Sequence, residues 1–558
     1  MKNHVQLFFI LITAAAAILL FVYKSPLNVF FSTDEGNKFI QVQNLVRTNE
    51  VSLSYPAADL DPGFRFFPFA GNHFIAVNGS VYSYHPFYFP WLVVPFYRLL
   101  GITGLYVLPI LFTLISLFLF FHLVSSDQPF RWLAPILLLF GTPLFFYTVG
   151  FWEHSIALAF ILAGFLLIKK STPNARSAIF HFLAGLVLGM ATILREEGYI
   201  LIIALVIAHF ISYRSFKNVF SLLVGWVLMM CPIWLLQKQL YRHALGIHEL
   251  YYSPAILKHS FKGVLSNLYV YLYEFHSNEL KKFLLAFPFL FALAVGLIGG
   301  KWEKKRLILF TLCLGAAGAV YAVITLWQAP LPVYHVLFTQ SFFPGLPFSI
   351  IALVWLRDFF YEDAESRFYC ITIFLFLIGL TVNLNQERFG LLWGPRLYLP
   401  VIPLLILLTL RAAPRLMHLN GAITKACIII LILASFLIQM FGLQALQLKK
   451  KSSANVVQLL QTDPDSVMIT DAFWVIEDSA SIFFQKKMLM VESDNDLQNL
   501  LMALREKHAP SFIFVAAKWP RLISNDAARK LMQMSVQRRI VHTPGYDSGD
   551  VVVFSCRL

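Results

Sequence analysis

The chain has 558 residues, 58% of them hydrophobic and only 13% charged, with a mean hydropathy of +0.69. A soluble domain cannot hide that much apolar surface from water, so the composition implies a polytopic membrane protein. The net charge of +14 lies largely in loops beside the apolar runs, where membrane orientation places it, and a nucleic-acid role is not expected.

In chain order, Val5–Tyr23 is an apolar run with only Lys2 and His4 before it and no small-residue cleavage pattern after it, which reads as an uncleaved anchor. Apolar stretches long enough to cross a bilayer then recur over the first four-fifths of the chain, about thirteen in all. With the N-terminus inside, the loops Ser125–Arg131, Lys169–Arg176, Ser212–Lys217, Lys301–Arg306, Arg357–Phe368 and Arg411–Lys425 are cytoplasmic, and each carries Lys or Arg. The opposite loops at Gly150–His154 and Gln328–Gln340 carry neither, as the positive-inside rule requires. The outer side then receives residues 24–101, a loop from about Gln237 to Lys282, Asn385–Pro400, and everything after Leu448.

Within the first outer loop, Ser32-Thr33-Asp34-Glu35 fits a capping box, with Ser32 as N-cap and Glu35 three residues on. Phe39, Val42 and Val46 give the following helix one apolar face, which suits a helix lying along the membrane. Capping accounts for Glu35; it accounts less well for Asp34, although an acidic residue in a first turn is favourable by itself. The segment 86–101 is apolar but punctuated by prolines and carries Arg98 near its end, so it reads as interfacial, with the next crossing beginning near Leu105. After Lys449-Lys450-Lys451 the charge density rises, and "SVMITDAF", "KKMLMVES" and "SFIFVAA" read as buried strands separated by helical patterns such as Asp496–Lys507. The expected architecture is an all-α membrane domain over 1–448, with interfacial helices in 24–101, followed by a small extracytoplasmic α/β domain over 449–558. The five cysteines show no disulfide or zinc spacing.

An Asp-Glu pair opening a long outer loop after a single span, followed about fifty residues later by "GSVYSYHPFYFPWL" (79–92), resembles the GT-C glycosyltransferases that use lipid-linked sugars, especially the aminoarabinose and protein mannosyl transferase branches. There the pair is followed by a Y-x-x-K-P-P-L-Y-like segment, which Tyr82, His85, Pro86 and Tyr88 match, with His85 in place of the usual Lys and Phe87 in place of the second Pro. "FFYTVGFWEHSIALAFILAGFLL" (145–167), "GLVLGMATILREEGYILIIALVI" (185–207) and "WGPRLYLPVIPLL" (393–405) are similar to later family segments in the expected order. They place Glu153 with His154, Arg195 with Glu196 and Glu197, and Arg396 with Tyr398 at outer turns.

The resemblance implies sugar transfer from a polyprenyl-phosphate donor to a glycan, lipid or protein acceptor at an extracytoplasmic site. A sugar on such a carrier already has a good leaving group, so the demand is for a base at the acceptor and cations at the phosphate. Asp34 is the candidate base, matching the family's catalytic acid, with Glu35 either cap or site. Arg195, Arg396 and His85 are candidates for the phosphate, although a neutral imidazole is a poorer anchor than Lys. Glu153, His154, Glu196, Glu197, Tyr82 and Tyr398 are further cavity candidates. Glu153 and His154 could join Asp34 on a divalent metal, Mg or Mn, because hard oxygen ligands suit those ions, although several branches of the family need none. Short loops and this branch of resemblance point to a bacterial inner membrane. A transporter or flippase for lipid-linked glycans is the competing reading, since buried charges also line transport pathways.

Overall fold

The computed structural model describes residues 2–557 except 70–72, 78, 172–176, 248–260, 274–278, 299–302, 329–340, 384–391, 510, 518–523 and 543–549. Against an expected count of about thirteen crossings, eight helices among the described residues are long and apolar enough to cross a membrane. Three shorter apolar helices accompany them, at Glu197–Tyr213, Gly263–Leu272 and Leu285–Leu297. The anchor is α1, Lys2–Tyr23. In the first outer loop follow α2 (Thr33–Thr48), the hairpin β1 (Phe74–Val77) and β2 (Ser80–Ser83), and α3 (Tyr88–Leu100). Gly101, at φ +60°, parts α3 from α4, which begins at Val107, close to the expected start of the crossing.

The membrane domain continues through α5 (Leu133–Phe140), α6 (Leu144–Val149), α7 (His154–Lys170), α8 (Ser177–Leu194), α9 (Glu197–Tyr213) and α10 (Phe216–Tyr241). α8 and α10 approach backbone to backbone: a Cβ on Gly185 would sit 2.1 Å from the Leu222 carbonyl oxygen, and one on Gly225 2.1 Å from that of Phe182. This small-residue contact is what brings membrane helices together where no hydrophobic force acts between them. Near its C-terminal end the membrane domain runs through Ile402–Thr462, which Gly421, at φ +67°, divides into the apolar stretches Ile402–Leu419 and Gly421–Thr462. Helix continues without a break past Lys449, Lys450 and Lys451 to Thr462, with Lys449 and Lys450 both buried.

The C-terminal domain contains a five-stranded sheet of order β4-β3-β5-β7-β6. The three expected strands are β3 (Val467–Thr470), β4 (Lys487–Met490) and β5 (Ser511–Ala517), mutually parallel about β3. The expected helix is Asp494–Glu506. Two strands that the sequence reading passed over complete the sheet: β7 (Asp550–Arg557) pairs antiparallel with β5, and β6 (Ser535–His542) pairs antiparallel with β7 at the edge. The pattern of β6, "SVQRRIVH", is that of an edge strand, where half the side chains meet water and the apolar signal is weak.

α2 departs from expectation. A helix lying along the membrane would bury one face, yet Asn37, Lys38, Gln41 and Asn44 are buried together with Phe39, Ile40 and Val42. The cause is the C-terminal domain: Phe39 and Val42 belong to one apolar cluster that also holds Val93 of α3 and Val475, Ile476 and Phe483 of the C-terminal domain. α2 is therefore enclosed between the two domains, and its polar side chains face a protein interior instead of a lipid headgroup layer.

Candidate active site

The start of α2 is set by its capping box. The Ser32 hydroxyl accepts from the Glu35 amide at 3.4 Å, while Glu35 Oε2 accepts from the amides of Ser32 at 3.2 Å and Phe31 at 2.6 Å. Its other oxygen, Oε1, accepts from the Phe151 amide at 2.6 Å. Glu35 thus ties the first turn of α2 to the turn between α6 and α7, and these backbone amides occupy both its oxygens. Burial raises its carboxyl above the ordinary range, against the lowering effect of Lys450 and the amides. The geometry gives Glu35 a structural part, in the cap of α2 and in holding the turn between α6 and α7.

One residue earlier on the same turn, Asp34 faces the other way. Its Oδ1 accepts from the Tyr84 hydroxyl at 3.3 Å and lies 3.5 Å from His85 Nε2, while Oδ2 lies 3.4 Å from Arg396 Nη1. Residues 34, 85 and 396 therefore meet at one point although hundreds of residues part the first from the last. Burial works to raise the Asp34 carboxyl, but the contact and charge of His85, followed by the charges of Arg396 and His73, outweigh it and hold the group well below the usual carboxylate range. Arg396 comes from the turn before Ile402. There Gly394, at φ +62°, takes a backbone conformation that side chains disfavour. Buried Arg396 Nε has no hydrogen-bond partner among the described residues.

A second set of charges adjoins this one. Lys38, one helical turn after Asp34, places Nζ 2.6 Å from Glu153 Oε2. Arg195 Nη1 lies 2.8 Å from Glu153 Oε1, and the same guanidinium is doubly bonded to Glu197, with Nε to Oε2 at 3.0 Å. Burial raises the Glu153 carboxyl, yet Lys38 and Arg195 together hold it well below the ordinary range. Trp152 links the two sets, because its ring lies 4.2 Å from Lys38 Nζ and 4.9 Å from the Arg396 guanidinium carbon. Both are distances at which a ring face attracts a cation. His154 stacks on the same indole, 5.3 Å between centroids.

Beside these charges lies a small, partly open pocket lined by His154, Arg195, Glu197 and Arg396 and walled by Ala157, Leu158, Ile161 and Ala191. Its walls are apolar and its charged residues include two guanidinium groups. That combination suits an amphiphile, an apolar tail carrying an anionic group.

Three expected residues are not part of this arrangement. Tyr82 turns away to pack edge-on against Tyr241, 5.3 Å between ring centroids. Tyr398 is buried in the core against Phe342, 5.2 Å away, since in the turn that carries Arg396 it points to the opposite side. Glu196 lies beside Tyr199 and Tyr88, and Glu197 is the one that pairs with Arg195. A metal held by Asp34, Glu153 and His154 does not fit the geometry. Among the described residues no three His, Cys, Asp or Glu side chains are grouped to hold one, and both Glu153 oxygens already carry a cation, which would repel a divalent ion.

Sequence reasoning passed over Lys38, Trp152, His73, Tyr84 and Glu477. Lys38 was visible in principle, four residues from Asp34 on the same helical face. His73 comes from a loop and Glu477, whose carboxyl group meets the His73 ring, from the C-terminal domain, and no periodicity connects either to Asp34.

No protein-family model matches this sequence, and no curated protein matches it. Among solved structures the chain is similar to the crystal structure of the Archaeoglobus fulgidus oligosaccharyltransferase tethered with an acceptor peptide containing the NVT sequon, with 10% identity and a TM-score of 0.51 over 91% of this chain and 68% of that one. The apo form of that protein gives a TM-score of 0.50 at 11% identity, over 91% and 69%. ArnT from Cupriavidus metallidurans bound to undecaprenyl phosphate aligns over 98% of this chain and 97% of its own, with 11% identity and a TM-score of 0.48. The likeness to the archaeal structures shows a shared fold, in which a polytopic helical membrane domain is followed by a C-terminal domain.

Proposed function

We propose that this protein is an integral membrane glycosyltransferase that moves a sugar from a polyprenyl-phosphate donor to a glycan, lipid or protein acceptor on the extracytoplasmic face of a bacterial inner membrane. The observation that carries the reading is the position of Arg396, which touches Asp34 on one side and lines the apolar-walled cavity on the other. A donor whose prenyl chain lies in the lipid beside that pocket would bring its phosphate to Arg396, and an acceptor arriving at Asp34 would meet the sugar there. The shared fold with an oligosaccharyltransferase supports the same class of reaction.

In the proposed step the acceptor hydroxyl or amide attacks the anomeric carbon from the face opposite the phosphate, its proton passes to Asp34, and the bond from that carbon to the phosphate oxygen breaks. Polyprenyl phosphate leaves with the electron pair, and the configuration inverts. No acid is required at the leaving group, because the guanidinium charge stabilises the departing anion. A carboxylate held as low as Asp34 is a weak base in the empty site. A donor phosphate that claims Arg396 removes part of the charge holding it down, so donor binding raises the proton affinity of the base.

The test is turnover of labelled polyprenyl-phosphate sugars in detergent, where no gradient exists. Asp34→Asn is expected to remain folded and to lose at least about a hundredfold of the rate, the scale for removal of a general base. Turnover at the wild-type rate in this variant would overturn the assignment, and transport across vesicles with no transfer in detergent would favour a flippase for lipid-linked glycans.

A further inference from the structure

The short helix Phe473–Asp478 follows β3 in the C-terminal domain and lies against α2. The approach is close enough that a Cβ on Gly36 would sit 2.1 Å from the Glu477 carbonyl oxygen. At this point the completely buried Glu477 carboxylate meets His73 Nδ1. The His73 ring lies nearly parallel to that of Tyr84, with centroids 5.1 Å apart and planes at 18°, and Tyr84 in turn packs on His85 at 4.1 Å. The second and third members of this stack reach the centre already described, since the Tyr84 hydroxyl and His85 Nε2 both approach Asp34 Oδ1. The His73 carbonyl is held as well, accepting from Asn37 Nδ2 at 3.3 Å and from the Tyr84 amide at 3.0 Å. On the far side of the helix, Asp478 is paired with buried Lys449 and with Ser453 of the long helix, which anchors the element to the membrane domain.

We infer that the C-terminal domain supplies a positioning residue to the active site: Glu477 pairs with His73 and holds it in place, and His73 sets Tyr84 and His85 against Asp34. The inference rests on the reading of Asp34 as the reacting base. A purely structural role explains the contact less well. A buried ion pair is a weak source of stability compared with apolar packing, and Glu477 Oε2 has no hydrogen-bond partner among the described residues, unlike a typical structural carboxylate. The groups facing His73 are Glu477 from the C-terminal domain, Asp34 from α2, and Tyr84 and His85 from the segment after β2; Asp478 lies next to Glu477. Burial disfavours the imidazolium, but Glu477 and then Asp34 outweigh it and raise the His73 pKa above its ordinary value.

The experiment uses the full chain in nanodiscs, with two measurements. Nuclear magnetic resonance of labelled histidine, with His73 assigned by difference from His73→Asn, reads its charge directly. At about pH 7.5 His73 is expected to be more fully protonated in the wild type than in Glu477→Gln. In turnover, Glu477→Gln is expected to lower kcat about tenfold or more at that pH with donor affinity unchanged, the loss shrinking as pH falls and His73 regains its proton. Glu477→Asp, which keeps the charge, is expected to restore the His73 protonation and part of kcat, and it serves in place of Glu477→Gln if the latter does not fold. Equal protonation of His73 in the wild type and in Glu477→Gln overturns the inference, as does Glu477→Gln with wild-type kcat and pH profile or with a loss confined to stability. Absence of sugar transfer by the wild-type protein would defeat the functional reading, while the resonance measurement would still decide whether Glu477 holds the charge on His73.

Discussion

Two adjacent acidic residues in one helical turn have opposite fates because a helix rotates successive side chains by about a hundred degrees. Glu35 turns back to the amides of its own cap, and Asp34 turns outward to Arg396, Tyr84 and His85. The two guanidinium groups differ as well. Arg195 is committed to Glu153 and Glu197, whereas Arg396 has a 3.4 Å contact with Asp34 and an unsatisfied Nε. Arg396→Gln is therefore expected to weaken donor affinity by about tenfold to a hundredfold, the value of a charge-assisted hydrogen bond to an anion. Titration with a fluorescent polyprenyl phosphate checks this, and unchanged affinity would remove Arg396 from the site. Asp34 also predicts an acid limb in stability. Its folded pKa lies below the unfolded one, so its contribution is present above the unfolded value and is lost as pH falls through the folded value. The Tm of the wild type should fall more than that of Asp34→Asn between about pH 5 and pH 3, and parallel curves would contradict the pairing.

At the scale of elements, the decisive contact is between α2 and the helix Phe473–Asp478. Gly36 has no room for a side chain because a backbone oxygen occupies the place of its Cβ, and backbone yields less readily than a flexible side chain. Gly36→Ala is expected to cost about 2 kcal/mol or more through forced separation of the two elements. The loss should appear as a lowered Tm together with faster proteolysis after Thr462, while an unaltered Tm would show that the elements can part without penalty. The Gly185 and Gly225 contact between α8 and α10 has the same logic within the membrane domain, although no reacting group depends on it.

At the scale of the whole molecule, the first outer loop and the C-terminal domain share one apolar cluster in which Phe39, Val42, Val475 and Phe483 are all buried. A chain ended after Thr462 would uncover that side of α2 and remove Glu477. Loss of turnover and aggregation are expected, read by transfer assay and size-exclusion profile, and a folded, active truncation would show that the C-terminal domain is dispensable.

Composition and period already determined a polytopic helical protein with a small α/β domain at its end, because burial in lipid and alternation in strands are local patterns that a linear reading detects. The cap at Ser32 and the three buried strands were legible for the same reason, whereas the candidacy of Asp34, His85 and Arg396 came from the resemblance of their segments to a known family. Which charges meet was a different matter. Tyr82 and Tyr398 stand beside residues of the charged centre and yet point away, while His73 and Glu477 approach it from segments that carry no mark of the others. Contacts between residues hundreds of positions apart depend on how helices pack and where the domains dock. Only the tertiary structure could settle that a polar helix beside a membrane span lies inside the protein, with the C-terminal domain completing its surroundings.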